Sequence, residues 1–536
     1  MHDLVVKNDR RAVLATSVVI IAIALIDLSY HHRTDVHIDA IAHVNKARGL
    51  WDNVTPGLKQ LGSIWLPLQH ILIAPLTLSD TLWSTGLAGS LLSAGCFVGS
   101  AWFLFGTAFR WTGSRRAGWL AFLLFALNPR LIYLFTTPMT EPLMVFCAAG
   151  LVYYLLKWVQ TEDWHDFAMA SLMVFAGTLT RYEGWSIAAI AVPLVFVIAR
   201  RRRLVWTVLF AGASVFGPML WMIYNLVYFD DPLMFAFGRG SARDYAQDYF
   251  FRNGKHFPTA GNIIDSVTTY WTAVAYCLNP FVLWLAFAGV CLAWLMWRNG
   301  GWRTTLIVIT LAIGPFAFYV YNLYANMVPV MMPGLVKDEP ASIYNVRYGT
   351  VMAASLPVLA AFALYVVFRQ AERRRAFALA LVAVMFLPDP IPDASEESPP
   401  DQLTNNLFYK EAVHNQSFWM PPFVEIAHRL KSEIDENHDL TGLILANSRI
   451  VHPVVWATGI HMKRFINEMN KDRWDQSLNT IDPAVRWVIT EEGDQLWNCQ
   501  SRILKRDWIE VADASTPLTG IVHLYRRRTS MEGSLS

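Results

Sequence analysis

The sequence predicts an α-helical polytopic membrane protein of about 11 transmembrane helices, each of ~20 residues, with a small α/β domain at its C-terminal end. Three observations predict it. Of the 536 residues, 54% are hydrophobic and only 16% charged, too few polar groups to cover a water-exposed surface of this size. Apolar runs of bilayer-crossing length recur as far as about residue 390. The arginines between those runs fall in alternate loops, and the 22 Trp and 19 Tyr suit a chain with many membrane–water interfaces. A formal net charge of +2 and scattered cysteines, in a chain this apolar, exclude disorder, a disulfide scaffold and nucleic-acid binding.

In order along the chain, the spans are read at 12–30, 84–109, 117–136, 141–158, 167–181, 184–200, 204–226, 268–297, 303–325, 348–368 and 375–388. The first, Val13 to Leu28, follows Lys7, Arg10 and Arg11 and lacks a small-residue cleavage site, so it is expected to stay as a signal anchor. The run at 64–80 is short and broken by Pro67 and Pro75. Counting it as a span would put Arg110, Arg115 and Arg116 on the outer side; laid on the outer surface as an interfacial helix, it leaves every basic cluster inside. Those clusters are Arg10/Arg11, Arg110/Arg115/Arg116, Lys157, Arg200 to Arg203, Arg298/Arg303 and Arg369/Arg373/Arg374/Arg375. The expected topology has the N-terminus inside and the C-terminus outside. The span at 167–181 is the weakest, being short and ending in charge.

Cys96, Cys147, Cys277 and Cys291 lie in apolar stretches and Cys499 stands alone. Pro388-Asp389-Pro390-Ile391-Pro392-Asp393 marks a stiff boundary between a membrane part, 1–388, and a soluble part, 389–536. In the soluble part Pro421 to Glu436 has the pattern of an amphipathic helix. Leu443 to Ala446, Arg486 to Thr490, Trp508 to Val511 and Ile521 to Tyr525 have that of short strands. No inverted pair of broken helices, the pointer to a transporter, is visible.

Charged groups at the membrane edge are costly and gather here at the outer helix ends. On a helix lying on the membrane, Asp35, Asp39 and His43 fall at i, i+4 and i+8 on one face, beside His37. They can take a proton from a hydroxyl, hold a divalent metal, or form an idle polar face. Thr140 before Pro142 is placed to cap a helix whose first turn holds Glu141, or Glu141 is a second acid facing the same cavity. Arg181, in Thr180-Arg181-Tyr182-Glu183, can snorkel, pair with Glu183, or fork around a phosphate. Arg347, in Asn345-Val346-Arg347-Tyr348, poses the same choice. Two arginines at the outer edge run against the positive-inside trend and favour an anionic partner. Asp230, Asp231, Arg239, Arg243 and Asp244 in the loop 227–267 suit a polar ligand or mere exposure.

These residues resemble the GT-C superfamily of membrane glycosyltransferases, above all bacterial and archaeal members of protein O-mannosyltransferase or aminoarabinose transferase architecture. Asp39, His43 and Ala47 match the family's first-loop spacing, with His43 in place of the usual tyrosine. Gly62 to Leu68 is similar to the interfacial segment that follows. Pro138 to Glu141, Leu179 to Gly184 and Arg347-Tyr348 are similar to three further motifs, so the resemblance covers about 1–390. It implies transfer of a sugar, with inversion, from a polyprenyl-phosphate donor to an extracytoplasmic protein, lipid or glycan acceptor, by a multi-pass protein of the cytoplasmic membrane. It implies Asp39 as catalytic base with Glu141 as second acid, and Arg181, Arg347 and Tyr348 at the donor phosphate. His43, Tyr182 and Glu183 would line the substrate. The ligand-rich loop leaves metal dependence open, with Asp35, Asp39 and His43 as the candidate ligands. The rival class is a transporter or flippase of a lipid-linked or polar solute.

Overall fold

The computed structural model describes residues 2–238, 240–244, 246–247, 254, 256–296, 301–328, 330–331, 345–368, 407–439, 441–516 and 520–528. The expected span 375–388, the Pro388–Asp393 boundary, Arg239 and the cluster around Arg373 lie outside them.

Among the described residues, five helices are long and apolar enough to cross a bilayer: α1 (His2–Tyr30, from Lys7), α5 (Leu87–Thr112), α8 (Glu141–Thr161), α11 (Arg203–Phe229) and α15 (Trp302–Tyr324). Each lies on a predicted run. Two other runs come out broken, for the same chemical reason. The run 117–136 divides into α6 (Arg115–Ala126) and α7 (Pro129–Leu134), because Asn128 caps α7 with its side chain and Pro129 has no N–H to continue α6. At 1.5 Å per residue α6 alone reaches about 18 Å, short of a bilayer. The run 268–297 divides at Asn279-Pro280 into α13 (Ile263–Leu278) and α14 (Pro280–Leu295), bent by 112°. Asn279 sits at φ 79° and caps α14 through Phe281 N–H. The run 348–368 is a 3-10 turn, Val346–Ala354, then α16 (Leu356–Phe368) after a 56° bend. With α9 (Trp164–Thr178) and α10 (Glu183–Ile198) too short to qualify, length and composition give at most seven spans among the described residues, where ten of the eleven expected runs lie.

The basic clusters still gather together despite these breaks. Arg115 pairs with Asp9, Arg10 donates to Tyr153 Oη at 2.9 Å, Arg110 to Gln160 at 3.1 Å, and Lys157 meets Asp166 at 2.6 Å. Trp111 donates to Thr305 at 3.1 Å and stacks on Phe362. The basic ends of α1, α5, α8 and α15 therefore meet at one end of the bundle. Buried side chains of α5, α6, α8, α14 and α16 fill its core; Gly289 lets α14 approach α16 so closely that a Cβ there would lie 2.2 Å from Leu359 O.

The opposite end carries the loop after α1 and the short helices α2 (Ile38–Arg48), α3 (Leu68–Ile73) and α4 (Asp80–Ser84). The run 64–80 is no span: α3 has six residues and passes into a 3-10 turn, Ala74–Leu78, at Pro75. Arg48 ties this layer together, with Nε on Asp52 at 2.8 Å, Nη2 on Asp80 at 2.7 Å and its guanidinium over Trp83.

The C-terminal part packs on that layer. A five-stranded mixed sheet has the order β2-β1-β3-β5-β4, from β1 (Leu443–Leu445), β2 (Phe465–Ile466), β3 (Val485–Glu491), β4 (Trp508–Thr516) and β5 (Gly520–Arg527). The pairs β1–β2 and β1–β3 are parallel; β3–β5 and β4–β5 are antiparallel. The predicted helix Pro421–Glu436 is present, with Phe423, Ile426, Ala427, Leu430 and Ile434 turned inward. The core it enters also holds Val44, Ala47, Ile73 and Trp83 from the first loop. The two-residue β2 and the helix Ser448–Thr458, absent from the sequence reading, have patterns too short or too mixed to stand out.

Candidate active site

The loop after α1 does not form one helix over its acids. His37, in extended conformation, caps α2 by accepting Asp39 N–H on Nδ1 at 3.1 Å, so the helix starts at Ile38. Only Asp39 and His43 share a face. Asp35 lies before the cap and turns away, accepting the Trp456 indole N–H at 2.8 Å from the C-terminal part. His43 Nδ1 meets His70 Nε2 at 2.9 Å. The three candidate metal ligands thus have three separate partners, and among the described residues no three His, Cys, Asp or Glu side chains are grouped to hold an ion.

Asp39 belongs to a different cluster. Arg347, in the first turn of Val346–Ala354, donates from Nη2 to Asp39 Oδ2 at 2.5 Å. Its Nη1 pairs with Glu411, and its Nε lies 3.2 Å from Glu141 Oε1 without meeting hydrogen-bond geometry. Arg181, in the tight turn between α9 and α10, donates to Glu183 at 2.5 Å, Glu141 at 2.9 Å and Thr140 Oγ1 at 2.8 Å. It therefore neither snorkels nor serves Glu183 alone. Thr140 makes no side-chain cap to α8, since its hydroxyl is taken by Arg181. Both guanidiniums lie over the Tyr348 ring, Arg181 at 5.2 Å and Arg347 at 5.5 Å from its centroid, within reach of its π quadrupole.

Packing holds these groups in place. Tyr270 Oη donates to Tyr348 O at 3.2 Å, and a Cβ at Gly349 would lie 2.9 Å from Ala273 backbone, so the 3-10 turn is pressed against α13. The segment 62–68 braces the other side: Tyr182 Oη donates to Ile64 O at 2.6 Å and accepts from Trp221 at 3.2 Å, while Leu68 N–H bonds Leu179 O at 3.0 Å. Tyr182, expected at the substrate, thus spends its hydroxyl on this brace. Glu183 faces Arg181, and Glu141 shares Oε1 between both arginines.

Exposure separates the acids. Glu141, Glu183 and Glu411 have side chains 3%, 6% and 1% exposed, but Asp39 is 29% exposed. Among the described residues no hydrogen bond reaches its Oδ1. Asp39 is the cluster's acid whose side chain reaches the surface.

Glu411 was not legible in the sequence. It sits on the helix Leu407–Trp419, more than sixty residues after Arg347, in a stretch with no motif, and only the fold brings it to the site. The loop candidates Asp230, Arg243 and Asp244 stay outside: Asp230 lies 3.5 Å from Lys471, Arg243 over Phe237, and Asp244 accepts Gly240 N–H.

Beside the cluster, burial disfavours the charged forms of a second group of side chains. It holds the His43 imidazole well below its ordinary value, His70 at about 3 and the Lys46 ammonium at about 8, and it pushes the Asp35 carboxyl up. The sign for His70 follows: its folded value lies below the ordinary 6.5, so its contribution is full above pH 6.5 and is lost as pH falls toward 3. The slope is about 1.4 kcal/mol per pH unit for one such buried group, and Asp35 opposes it only near the carboxylate range. Melting in detergent should drop by several degrees between pH 7.5 and 5, and less in His70→Asn. A melting temperature that rises on acidification would contradict this.

A bundle of apolar helices whose one end carries a first-loop acid and two arginines, under a small α/β domain, is the fold of the solved ArnT structures. Solved structures it resembles include those of ArnT from Cupriavidus metallidurans. The form bound to undecaprenyl phosphate matches with a TM-score of 0.55 at 13% identity, over 96% of this chain and 98% of that one. The apo form matches with a TM-score of 0.55 at 14% identity, over the same shares of both chains. No protein-family model and no curated protein sequence matches the chain. At such identity the likeness establishes the fold, and the site has to carry the chemistry.

Proposed function

We propose that the protein is a glycosyltransferase that moves a sugar from a polyprenyl-phosphate donor to an acceptor at the extracytoplasmic face of the cytoplasmic membrane. The observation that carries this reading is the part-exposed carboxylate of Asp39, beside Arg347 and within one cluster with Arg181 and Tyr348. That end of the bundle lies opposite the basic ends, which the positive-inside rule keeps in the cytoplasm. The ArnT structure bound to undecaprenyl phosphate has the same fold.

In this reading Asp39 is the general base. The acceptor hydroxyl or amine attacks the anomeric carbon, its proton passes to Asp39 Oδ1, and the bond from that carbon to the phosphate oxygen breaks with its electrons on the phosphate. A single displacement of this kind inverts the anomeric centre. Arg347 and Arg181 face the phosphate, where negative charge grows in the transition state. Arg347 offers a buried Nε–H with no hydrogen bond in the structure. Glu141 is a positioning residue in this scheme: it holds the two guanidiniums to one side and is too buried to meet an acceptor.

Undecaprenyl phosphate added to the purified protein tests the donor half. A ligand at 100 times its Kd stabilises the folded state by about 2.7 kcal/mol, so melting should rise clearly for the wild type. It should rise little for Arg181→Gln. Equal shifts in both would remove Arg181 from the phosphate.

A further inference from the structure

The site holds more negative than positive charge. Asp39, Glu141, Glu183 and Glu411 face two guanidiniums, Arg181 and Arg347, and all but Asp39 are buried. His37 stands among these groups, with Nδ1 accepting Asp39 N–H and Nε2 lying 3.0 Å from Arg347 Nη1 and 3.4 Å from Glu411 Oε1. A donor phosphate would be one more anion in a place that already has too many, and one carboxylate has to give way.

The geometry points to Glu411. Its Oε1 takes Arg347 Nη1, and its Oε2 accepts the Arg347 backbone N–H at 3.4 Å at the start of the 3-10 turn. A guanidinium arm plus a backbone N–H at a helix start are the donors that hold a phosphate. Glu141 and Glu183, by contrast, are fixed by Arg181, and Asp39 is needed as base. A small cavity lined by His37, Tyr133, Thr137, Met139 and Phe408 adjoins the contact.

We propose that Glu411 is an internal stand-in for the donor phosphate, and that donor binding exchanges one anion for the other on Arg347 and frees the helix Leu407–Trp419. That helix runs directly into Pro421–Glu436, whose apolar face lies in the core shared by the C-terminal sheet and the first loop. Loading of the donor would therefore be transmitted to the C-terminal part. This rests on the donor reading above and adds to it a residue and a coupling.

Two measurements on the full-length protein in detergent, with undecaprenyl phosphate as the probe, test it. A competitor that occupies the seat in nine molecules of ten raises the apparent Kd tenfold, so Glu411→Gln, of the same shape without the charge, should bind the lipid roughly tenfold more tightly. In the wild type, backbone amide exchange across 407–419 should rise on adding the lipid; this needs no variant. In Glu411→Gln it should already be high without lipid. Equal affinity of the two proteins, with exchange over 407–419 unchanged by the lipid, would overturn the exchange of anions and leave the donor reading standing. Failure of both proteins to bind the lipid at all would overturn the two together.

Discussion

Asp39→Asn is expected to lower turnover by about 10²–10⁴-fold, the usual contribution of a positioned general base. Donor affinity should change little. Asparagine keeps the shape and can still accept from Arg347, so the fold and the phosphate side stay as they are, but its amide cannot take a proton. The split is the diagnostic feature: kcat falls while the Kd for undecaprenyl phosphate stays within a few-fold. A structural role for Asp39 would move both, and wild-type turnover in the variant would remove it from the mechanism. The neighbouring Asp35→Asn serves as the contrast. Its carboxyl bonds Trp456 on the far side of the loop, so its loss should affect stability and spare kcat.

Arg347 carries the largest expected effect on the protein as a whole. Its guanidinium is 7% exposed and faces Asp39, Glu141 and Glu411. Arg347→Ala leaves three carboxylates around an empty space, and removing one partner of a buried ion pair costs about 3–5 kcal/mol. That variant should express poorly or melt far below the wild type. Arg347→Lys is the informative change: it keeps the charge but loses the fork that reaches Asp39 and Glu411 together. Each lost charged hydrogen bond is worth about 1.5–3 kcal/mol, so binding of undecaprenyl phosphate should weaken by ~10-fold or more. A lysine variant that is stable and binds the lipid as the wild type does would place the phosphate elsewhere.

How much of this was legible beforehand follows from which interactions are local. Apolar runs and alternate basic loops are one-dimensional signals, and they located the long helices and the two ends of the bundle correctly. The breaks at Asn128-Pro129 and Asn279-Pro280 were written in the sequence as a capping residue followed by proline, but the surrounding hydropathy hid them. Asp39, Arg181 and Arg347 were visible because charge at an apolar boundary needs a reason. The one-face arrangement of Asp35, Asp39 and His43 failed because His37 capped the helix after Asp35, a choice made by a single hydrogen bond. Glu411 was out of reach altogether. Nothing near it in the sequence marks it, and its role comes from a long-range contact that only tertiary packing creates.

The central claim is that this end of the bundle breaks a sugar–phosphate bond. It is tested most directly by reconstituting the protein with membrane acceptors and a polyprenyl-phosphate donor labelled in its sugar. Label should leave the lipid fraction, free polyprenyl phosphate should appear in equal amount, and Asp39→Asn should stop both. Label that crosses the bilayer while still attached to its lipid, at the same rate in wild type and Asp39→Asn, would contradict it and make the protein a carrier of lipid-linked sugar instead.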